Sequence, residues 1–323
     1  MKIIIFTEGG MDLGFGHISR CSALFDELIS RGMEVEFVIN SEMSSIDIIK
    51  SKKYKIINWL SKSFLKEFVS KDDCCIIDSY KADKKIYQFI SDLANKCIYI
   101  DDNSRIEYPK GIIVNPSLVS KPNHSINTIC LYGPQYVILR PSFQNKKRST
   151  IKRNAKKVLV TLGGSDPQNL TDFILTRIVT RFPELFFRVV VGKSFKNIKY
   201  LKSIQLDNLM IEEDLNSEDM KKLMLDSDLA ITAAGQTIYE LLATQTPFIP
   251  IQIIGNQSNN VEGLIKYNLV DKVLHFKDKE LTEKLILELV ELQKYSIRQN
   301  RYRLYKDIID GRGCQRIIDQ LLR

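Results

Sequence analysis

Short apolar runs alternate along the chain with segments of helical periodicity. Residues 17–32, HISRCSALFDELISRG, place Ile18, Cys21, Phe25 and Leu28 on one face and end at Gly32, which predicts a helix. Apolar runs that end in polar residues predict buried strands. They occur as KIIIF (2–6), EVEFVIN (34–40), CCIIDSY (74–80), KCIYIDD (96–102) and GIIVNPS (111–117). This alternation is typical of a parallel sheet with helices on both faces.

The pattern restarts after a polar segment near residue 150. Apolar runs predict strands at 157–164, 186–192, 208–213, 227–235 and 247–252, and Asp166 and Pro167 are typical of the start of the first intervening helix. We expect an α/β fold of two Rossmann-like domains facing across a cleft. The predicted parts are residues 1–145, a linker at 146–156, residues 157–305 and a C-terminal helix at 306–323. Ligands of such folds bind beyond the carboxyl ends of the strands, so the polar residues there are the functional candidates.

Charge and cysteine content add little chemistry. The net charge of +8 is concentrated in residues 144–157, QNKKRSTIKRNAKK, which carry seven basic residues and no aromatic one. A solvated linker fits this segment better than a nucleic-acid surface, which interleaves basic and aromatic residues. The six cysteines lack the spacing of a zinc site, which favours inert core thiols. No apolar run approaches the ~20 residues of a membrane span, and no signal peptide is recognisable, so we expect a cytoplasmic monomer without nucleic-acid or integral-membrane partners.

The corner Gly14-Phe15-Gly16-His17 lies between the first predicted strand and the first predicted helix. Its glycines allow a tight turn and close approach of a ligand. The positive end of the helix dipole disfavours a cationic imidazole, so His17 could act as a neutral base toward water. A polar residue that caps the helix is the structural alternative, and spacing does not choose between them. A nicotinamide site is disfavoured, because Ser19 occupies the third glycine position of that fingerprint.

Three strand ends in the second half suit a nucleotide. TLGGSDPQN (161–169) offers small side chains and free amides to phosphate oxygens. AAGQTIYELL (233–242) joins a glycine turn to a threonine and to a carboxylate that can bind a ribose diol. GNQSNN (255–260) presents side-chain amides. The structural alternatives are a tight turn, a solvated helix residue and helix capping. The candidates are Gly163, Gly164, Ser165, Gly235, Thr237, Glu240, Asn256 and Gln257.

Six segments, in this order, resemble a known family. GFGHISR, IIDSY, YGPQYVILRPSF, LGGSDPQNLT, AAGQTIYELL and GNQ are similar to motifs of the UDP-sugar hydrolases of pseudaminic acid biosynthesis and of the related spore-coat polysaccharide biosynthesis proteins. These are GT-B-like proteins, and the resemblance covers roughly residues 1 to 265. Ser79 stands where the family's motif has a histidine.

The resemblance implies a reaction and a set of site residues. It implies hydrolysis of a UDP-linked 2,4-diacetamido-2,4,6-trideoxyhexose, in which water attacks the anomeric carbon with inversion and UDP leaves, with no cofactor and no metal. His17, Tyr80 and Asn256 are implied to be catalytic. Substrate-binding roles are implied for Gly14, Gly16, Arg20, Asp78, Gly163, Gly164, Ser165, Gly235, Thr237, Glu240 and Gln257.

Two other function classes stay open. A GT-B glycosyltransferase would share the donor site and add an acceptor side. Residues 41–73, with Lys50, Lys52, Lys53 and Trp59, could then face a membrane acceptor, although a surface helix is the simpler interpretation. A non-catalytic nucleotide-sugar sensor or nucleic-acid binder is supported only by the basic linker. Release of free sugar without an acceptor would distinguish hydrolysis from transfer.

Overall fold

Two units divide the chain in a computed structural model that describes residues 1–10, 14–119, 128–144, 148–192 and 195–323. Unit 1 consists of Met1–Pro141 and Gly311–Arg323, and unit 2 of Ser142–Asp310. The domain boundary predicted between residues 145 and 146 falls outside the described residues. Residues 11–13, which open the loop before His17, also lie outside them.

Unit 1 is built on a parallel sheet of seven strands. In spatial order the strands are β3-β2-β1-β4-β5-β6-β7. The strands are β1 (Ile3–Glu8), β2 (Val35–Asn40), β3 (Tyr54–Ile56), β4 (Cys74–Asp78), β5 (Lys96–Ile100), β6 (Gly111–Asn115) and β7 (Thr128–Tyr132). The helices are α1 (Gly16–Ser30), α2 (Lys62–Phe68), α3 (Lys84–Leu93) and α11 (Gly313–Leu322), with single 3-10 turns at Asp47–Ile49, Pro134–Tyr136 and Pro141–Phe143.

The apolar run of β1 is continuous because both faces of the sheet are covered. Ile3 and Ile5 pack on the side of α1 and α11, whereas Ile4 and Phe6 pack on the other side with Trp59. These four side chains of β1 are fully buried. The predicted strands are confirmed, but the sequence pattern did not predict β3 and β7, which border the sheet and are only partly buried.

Unit 2 repeats the arrangement with six parallel strands. Their spatial order is β10-β9-β8-β11-β12-β13. The strands are β8 (Lys157–Thr161), β9 (Phe186–Val191), β10 (Leu209–Glu213), β11 (Leu229–Ala233), β12 (Phe248–Gln252) and β13 (Leu274–His275). The helices are α4 (Leu170–Arg177), α5 (Ile198–Ser203), α6 (Ser217–Asp226), α7 (Thr237–Ala243), α8 (Ser258–Lys266), α9 (Leu281–Gln293) and α10 (Tyr295–Tyr305), with 3-10 turns at Val179–Arg181 and Gly255–Gln257.

The start of α4 differs from the prediction. Asp166 and Pro167 do not begin the helix, because a turn with Asn169 in the left-handed region (φ 51°) precedes it. Asp166 still satisfies the first helical amides, since its carboxylate accepts from the N–H of Leu170 at 3.0 Å and of Thr171 at 2.7 Å. The capping chemistry was therefore predicted correctly and the helix start was not.

The chain returns to unit 1 at its C-terminal helix. The segment 306–323, predicted as a helix, contains α11, whereas residues 306–312 before it are not helical; α11 buries Cys314, Ile317 and Ile318 in the core of unit 1. Arg31, which directly follows α1, donates to Asp319 at 2.6 Å. Gly313 is required here, because a Cβ at this position would lie 2.1 Å from the carbonyl oxygen of Val137.

The described part of the basic linker is partly pinned rather than freely solvated. Arg148 is buried and donates to the carbonyls of Met224 and Ser227, which end α6. Arg298 of α10 is fully buried and donates to the carbonyls of Lys152 and Arg153. Two of the arginines of unit 2 therefore have a structural role, because they are buried and bind backbone carbonyls. In the described part of the chain, no helix is long and apolar enough to cross a membrane.

Candidate active site

The strand ends of unit 1 gather acidic residues at one edge of the sheet. In the parallel register Thr7 lies opposite Asp78, so Glu8 and Asp78 end neighbouring strands. Asp101 and Asp102 follow β5, which pairs with β4 on its other side. Parallel strands bring their carboxyl ends together, and here they place carboxylates beside the first turn of α1.

His17 is held by one of these carboxylates. Helix α1 begins at Gly16, and its N-cap residue Phe15 makes no side-chain cap hydrogen bond. The imidazole does not cap the helix either, because its Nδ1 lies 2.7 Å from Oδ1 of Asp78. A carboxylate at this distance requires Nδ1 to carry a proton, which leaves the lone pair of the neutral ring on Nε2. The side chain is 10% exposed, so the ring is largely enclosed.

Asp78 is fully buried and forms a bidentate ion pair with Arg20. Nε and Nη2 of Arg20 lie 2.5 and 2.6 Å from its two oxygens. Burial by itself would raise the pKa of Asp78, but the charge of Arg20 and the contacts with His17 hold that pKa well below its usual range. The thiol of Cys21 adds a contact at 3.5 Å. Asp78 was predicted to bind substrate; it has no exposed surface and contacts His17 and Arg20.

Tyr80 joins the same cluster from the loop after β4. Its hydroxyl donates to Oδ1 of Asp102 at 2.7 Å and accepts from Nδ2 of Asn103 at 2.8 Å. The rings of Tyr80 and His17 meet edge to face, with centroids 4.5 Å apart. Burial and the neighbouring Asp102 carboxylate raise the pKa of Tyr80 well above its usual range, so the hydroxyl is a hydrogen-bond donor at neutral pH.

Glu8 fixes the loop that carries Tyr80. Its buried carboxylate accepts from the hydroxyl of Ser79 at 2.5 Å and from the backbone N–H of Tyr80 at 2.7 Å and Lys81 at 3.1 Å. Ser79 is itself buried and accepts from the N–H of Ala82 at 3.0 Å. The serine that departs from the family motif therefore has an internal structural role in this chain.

The predicted residues of unit 2 lie at the carboxyl ends of its strands. Gly163 has φ +100°, a conformation that L side chains rarely adopt. Gly164 is exposed and Ser165 half-buried in the same loop. A Cβ at Gly164 would meet no described atom within 4 Å, so the protein itself leaves space at that position. The geometry fits a loop that a ligand approaches closely.

Helix α7 and the following loop hold the remaining candidates. Thr237 begins α7, and Glu240 lies in its first turn, half-buried. Asn256 is exposed in the 3-10 turn, in unit 2, whereas His17 and Tyr80 belong to unit 1. Gln257 is buried, and its Oε1 accepts from the backbone N–H of Ile253 at 2.8 Å, so it holds the turn. A Cβ at Gly235 would lie 3.6 Å from its Nε2.

Two acidic residues of the unit 1 site were not predicted from the sequence. Glu8 and Asp102 complete the hydrogen bonds of the Tyr80 loop and of Arg20. The sequence pattern could have indicated both, because each is an acidic residue at the end of an apolar strand run. A cavity of about 300 Å³ in unit 2, near Phe173 and Phe276, includes none of the predicted site residues. Within the described residues, no group of three or more histidine, cysteine or acidic side chains could hold a metal ion.

No family model matches the chain. It is 25% identical to the spore coat polysaccharide biosynthesis protein SpsG of Bacillus subtilis, over 98% of this chain and 96% of that one. It is 23% identical to the UDP-2,4-diacetamido-2,4,6-trideoxy-beta-L-altropyranose hydrolase of Campylobacter jejuni, over 82% of this chain and 97% of that one. It is 26% identical to a Helicobacter pylori protein named as pseudaminic acid cytidylyltransferase and the same hydrolase, over 80% of this chain.

The chain spans about half the length of two curated relatives that it matches. It covers 45% of the Helicobacter pylori protein and 55% of an uncharacterised Methanocaldococcus jannaschii protein, with which it shares 29% identity over 77% of this chain. A match to part of a longer protein does not transfer the activity of the whole.

Solved glycosyltransferase structures share the fold. MurG of Acinetobacter baumannii superposes with a TM-score of 0.70 at 13% identity, covering 100% of this chain and 99% of that one. The spinosyn rhamnosyltransferase SpnG gives 0.65 at 11% identity, covering 99% and 100%. These likenesses and the two parallel sheets show an α/β two-domain fold of the GT-B class. Over most of its length the chain is similar to SpsG and to the UDP-sugar hydrolases of pseudaminic acid biosynthesis, which supports the family that its sequence motifs resemble.

Proposed function

We propose that the protein hydrolyses a UDP-linked 2,4-diacetamido-2,4,6-trideoxyhexose to UDP and the free sugar, in nonulosonic acid or surface polysaccharide biosynthesis. The observation that carries the proposal is the His17–Asp78 contact of 2.7 Å at Nδ1. It leaves Nε2 of the neutral imidazole as the nitrogen that can accept a proton from water. The names of the hydrolase relatives support the substrate class.

The proposed step needs one base and a stabilised leaving group. The oxygen of water forms a bond to the anomeric carbon on the face opposite the nucleotide. The bond from that carbon to the phosphate oxygen breaks, and its electron pair leaves with UDP. The proton of the attacking water passes to Nε2 of His17, while Asp78 stabilises the imidazolium that forms.

The proposal assigns UDP to the strand-end loops of unit 2. Gly163, Gly164 and Ser165 contact the diphosphate, and Glu240 accepts hydrogen bonds from the ribose. Backbone amides stabilise developing negative charge without reorganisation, which suits the departure of UDP. Asn256 and Tyr80 are assigned to the sugar near its reacting carbon.

The test is acceptor-free turnover. Purified protein is incubated with the UDP-sugar in water enriched in ¹⁸O, and UDP and free sugar are quantified by mass spectrometry. We expect ¹⁸O in the sugar and none in UDP. His17→Asn should retain UDP-sugar binding and lower turnover by roughly 100-fold or more. Near-normal turnover of that variant would remove His17 from the mechanism.

A GT-B glycosyltransferase that uses a UDP-sugar donor is the second candidate. The glycosyltransferase fold of the neighbours is the observation that favours it. A membrane-facing role of residues 41–73 loses support, because Trp59 is fully buried and donates from Nε1 to the carbonyl of Thr7 at 2.8 Å. Release of UDP only when an acceptor is added would replace the hydrolase by this candidate.

A further inference from the structure

Arg20 joins the His17–Asp78 pair of unit 1 to the Tyr80–Asp102 pair. Its Nε and Nη2 hold Asp78, as described, and its Nη1 donates to Oδ2 of Asp102 at 2.7 Å. The other oxygen of Asp102 accepts from the hydroxyl of Tyr80. The ring of Tyr80 then meets the ring of His17, so five side chains form a closed circuit. Arg20 is only 6% exposed, and three of its guanidinium N–H groups are committed within the protein.

We propose that Arg20 and Asp102 are positioning residues, which hold His17 and Tyr80 in one circuit of charged and polar side chains and influence the proton affinity of the imidazole. Arg20 was predicted to bind substrate, and Asp102 was not predicted at all. Neither has to touch the substrate in this role. The catalytic meaning of the circuit rests on the proposed function, whereas its electrostatic effect on His17 does not.

The sign of the effect follows from the charges. A buried carboxylate such as Asp78, standing alone, favours the imidazolium form of a neighbouring histidine. Arg20 carries the opposite charge and pairs with Asp78, so it offsets this effect of the carboxylate. Asp102 in turn offsets part of the charge of Arg20. Removing Arg20 should therefore make protonation of His17 easier, and removing the charge of Asp102 should make it harder.

Several groups on four elements bear on this balance. Cys21 on α1 contacts Asp78, and the carboxylate of Glu8 at the end of β1 is held by Ser79 and two backbone amides. Those two groups remain unchanged in the variants below. The charged and titratable groups that contact the imidazole are Arg20, Asp78 and Tyr80, and Glu8, Cys21 and Asp102 contact those groups in turn.

The experiment is a substrate-free NMR titration of the imidazole. The chain has three histidines, and the His17 signal is assigned by its loss in His17→Asn. We expect the titration midpoint of His17 to rise by about one pH unit in Arg20→Gln and to fall by about half a unit in Asp102→Asn. Arg31→Gln is the matched control, because Arg31 directly follows the same helix and pairs with Glu27 and Asp319 instead.

Opposite shifts in the two variants support the proposal, and a merely structural role does not produce them. Unchanged midpoints, or shifts in the same direction, would overturn it. If Arg20→Gln does not fold by circular dichroism, Asp102→Asn decides alone, since that side chain is 22% exposed and tolerates change better. Arg20→Lys should move the midpoint less than Arg20→Gln does, because it retains the charge although it cannot reproduce the bidentate pair with Asp78.

The two proposals fail separately. The titration uses no substrate, so opposite shifts without any sugar release would retain the circuit and reject the hydrolase. Normal sugar release with unchanged midpoints would retain the hydrolase and reject the circuit. Where both hold, the acid limb of the kcat profile should move to higher pH in Arg20→Gln and to lower pH in Asp102→Asn, as the midpoints do.

Discussion

Nδ1 of His17 and Oδ1 of Asp78 lie 2.7 Å apart, although 61 residues separate them in the sequence. Asp78 ends β4, and His17 stands in the first turn of α1, which follows the neighbouring strand β1. The contact is thus a product of strand adjacency in a parallel sheet. Because Asp78 is fully buried, it controls the orientation and tautomer of the ring without meeting solvent.

Asp78→Asn should separate orientation from charge. The amide oxygen can still accept from Nδ1, but the imidazolium loses its counter-charge and Arg20 loses its bidentate partner. We expect turnover to fall on the order of 100-fold. We also expect the free energy of unfolding to fall by about 3 kcal/mol, because a buried charge pair is broken. Stopped assays of sugar release and urea unfolding measure the two effects.

Asp73→Asn is the matched control for that variant. Asp73 is also buried, immediately before β4, and accepts from the backbone N–H groups of Lys2 and Ser70. It lies at the other end of the strand from Asp78. Its replacement should lower the free energy of unfolding by about 1–2 kcal/mol and leave turnover unchanged. Equal turnover losses in both variants would mean that Asp78 acts through stability alone.

Acid should destabilise the protein partly through Asp102. Burial alone would raise its pKa, but Arg20 and the Tyr80 hydroxyl lower that pKa below its usual range. The unfolded chain therefore takes up this proton first as the pH falls. The associated stability is fully present above the unfolded pKa of about 3.9 and is lost as the pH falls through the lower folded pKa.

Urea unfolding between pH 6 and pH 3 measures this linkage. Asp102→Asn should show a shallower fall of the free energy of unfolding with acid than the parent. Glu107→Gln serves as the surface comparison, since that carboxylate pairs with Lys84 in solvent and salt screens it. A fall with pH as steep in Asp102→Asn as in the parent would contradict the contribution of Asp102.

Strand ends could be predicted from the sequence, but their pairing could not. The runs KIIIFTE, CCIID and KCIYIDD mark three strands and their polar ends. The carboxylates that contact Arg20 are determined by the strand order, since Arg20 and Asp102 are 82 residues apart in the sequence. The Rossmann-like alternation predicts a parallel sheet, whereas the neighbours of each strand are fixed by packing across the whole unit. The pattern therefore pointed to His17, the family resemblance added Asp78, and neither indicated a role for Asp102.

Short elements and chain returns were also beyond the sequence pattern. β3 and β13 have three and two residues, too few for a period to show. The C-terminal helix was predicted, but nothing in its sequence assigned it to unit 1. That assignment depends on the close approach of Gly313 to Val137 and on the fit of its apolar face into the core.

Trp59 should report a buried environment. It is the chain's single tryptophan, it is fully buried, and its ring lies 5.1 Å from that of Phe6. We expect weak quenching of its fluorescence by acrylamide and no change on addition of anionic vesicles. Urea should shift the emission to longer wavelength and restore quenching. A vesicle-dependent shift of the native emission would revive the membrane-facing role of residues 41–73 and, with it, the transferase candidate.

Two glycines that touch each other should respond in opposite ways to alanine. A Cβ at Gly164 meets no described atom within 4 Å, whereas a Cβ at Gly192 would lie 2.4 Å from the carbonyl oxygen of Gly164. Gly192→Ala should therefore lower the free energy of unfolding by about 2 kcal/mol or more, because a backbone must move. Gly164→Ala should leave it within about 1 kcal/mol of the parent.

Binding of UDP then separates the roles of these two positions. If the diphosphate approaches the backbone of Gly164, a methyl group there should weaken UDP binding about 10-fold or more, measured by calorimetry, in a protein of normal stability. Unchanged affinity in Gly164→Ala would place the diphosphate elsewhere. The fold has no need of a glycine at this position and leaves room for a side chain, so an affinity loss without a stability loss can be assigned to the ligand.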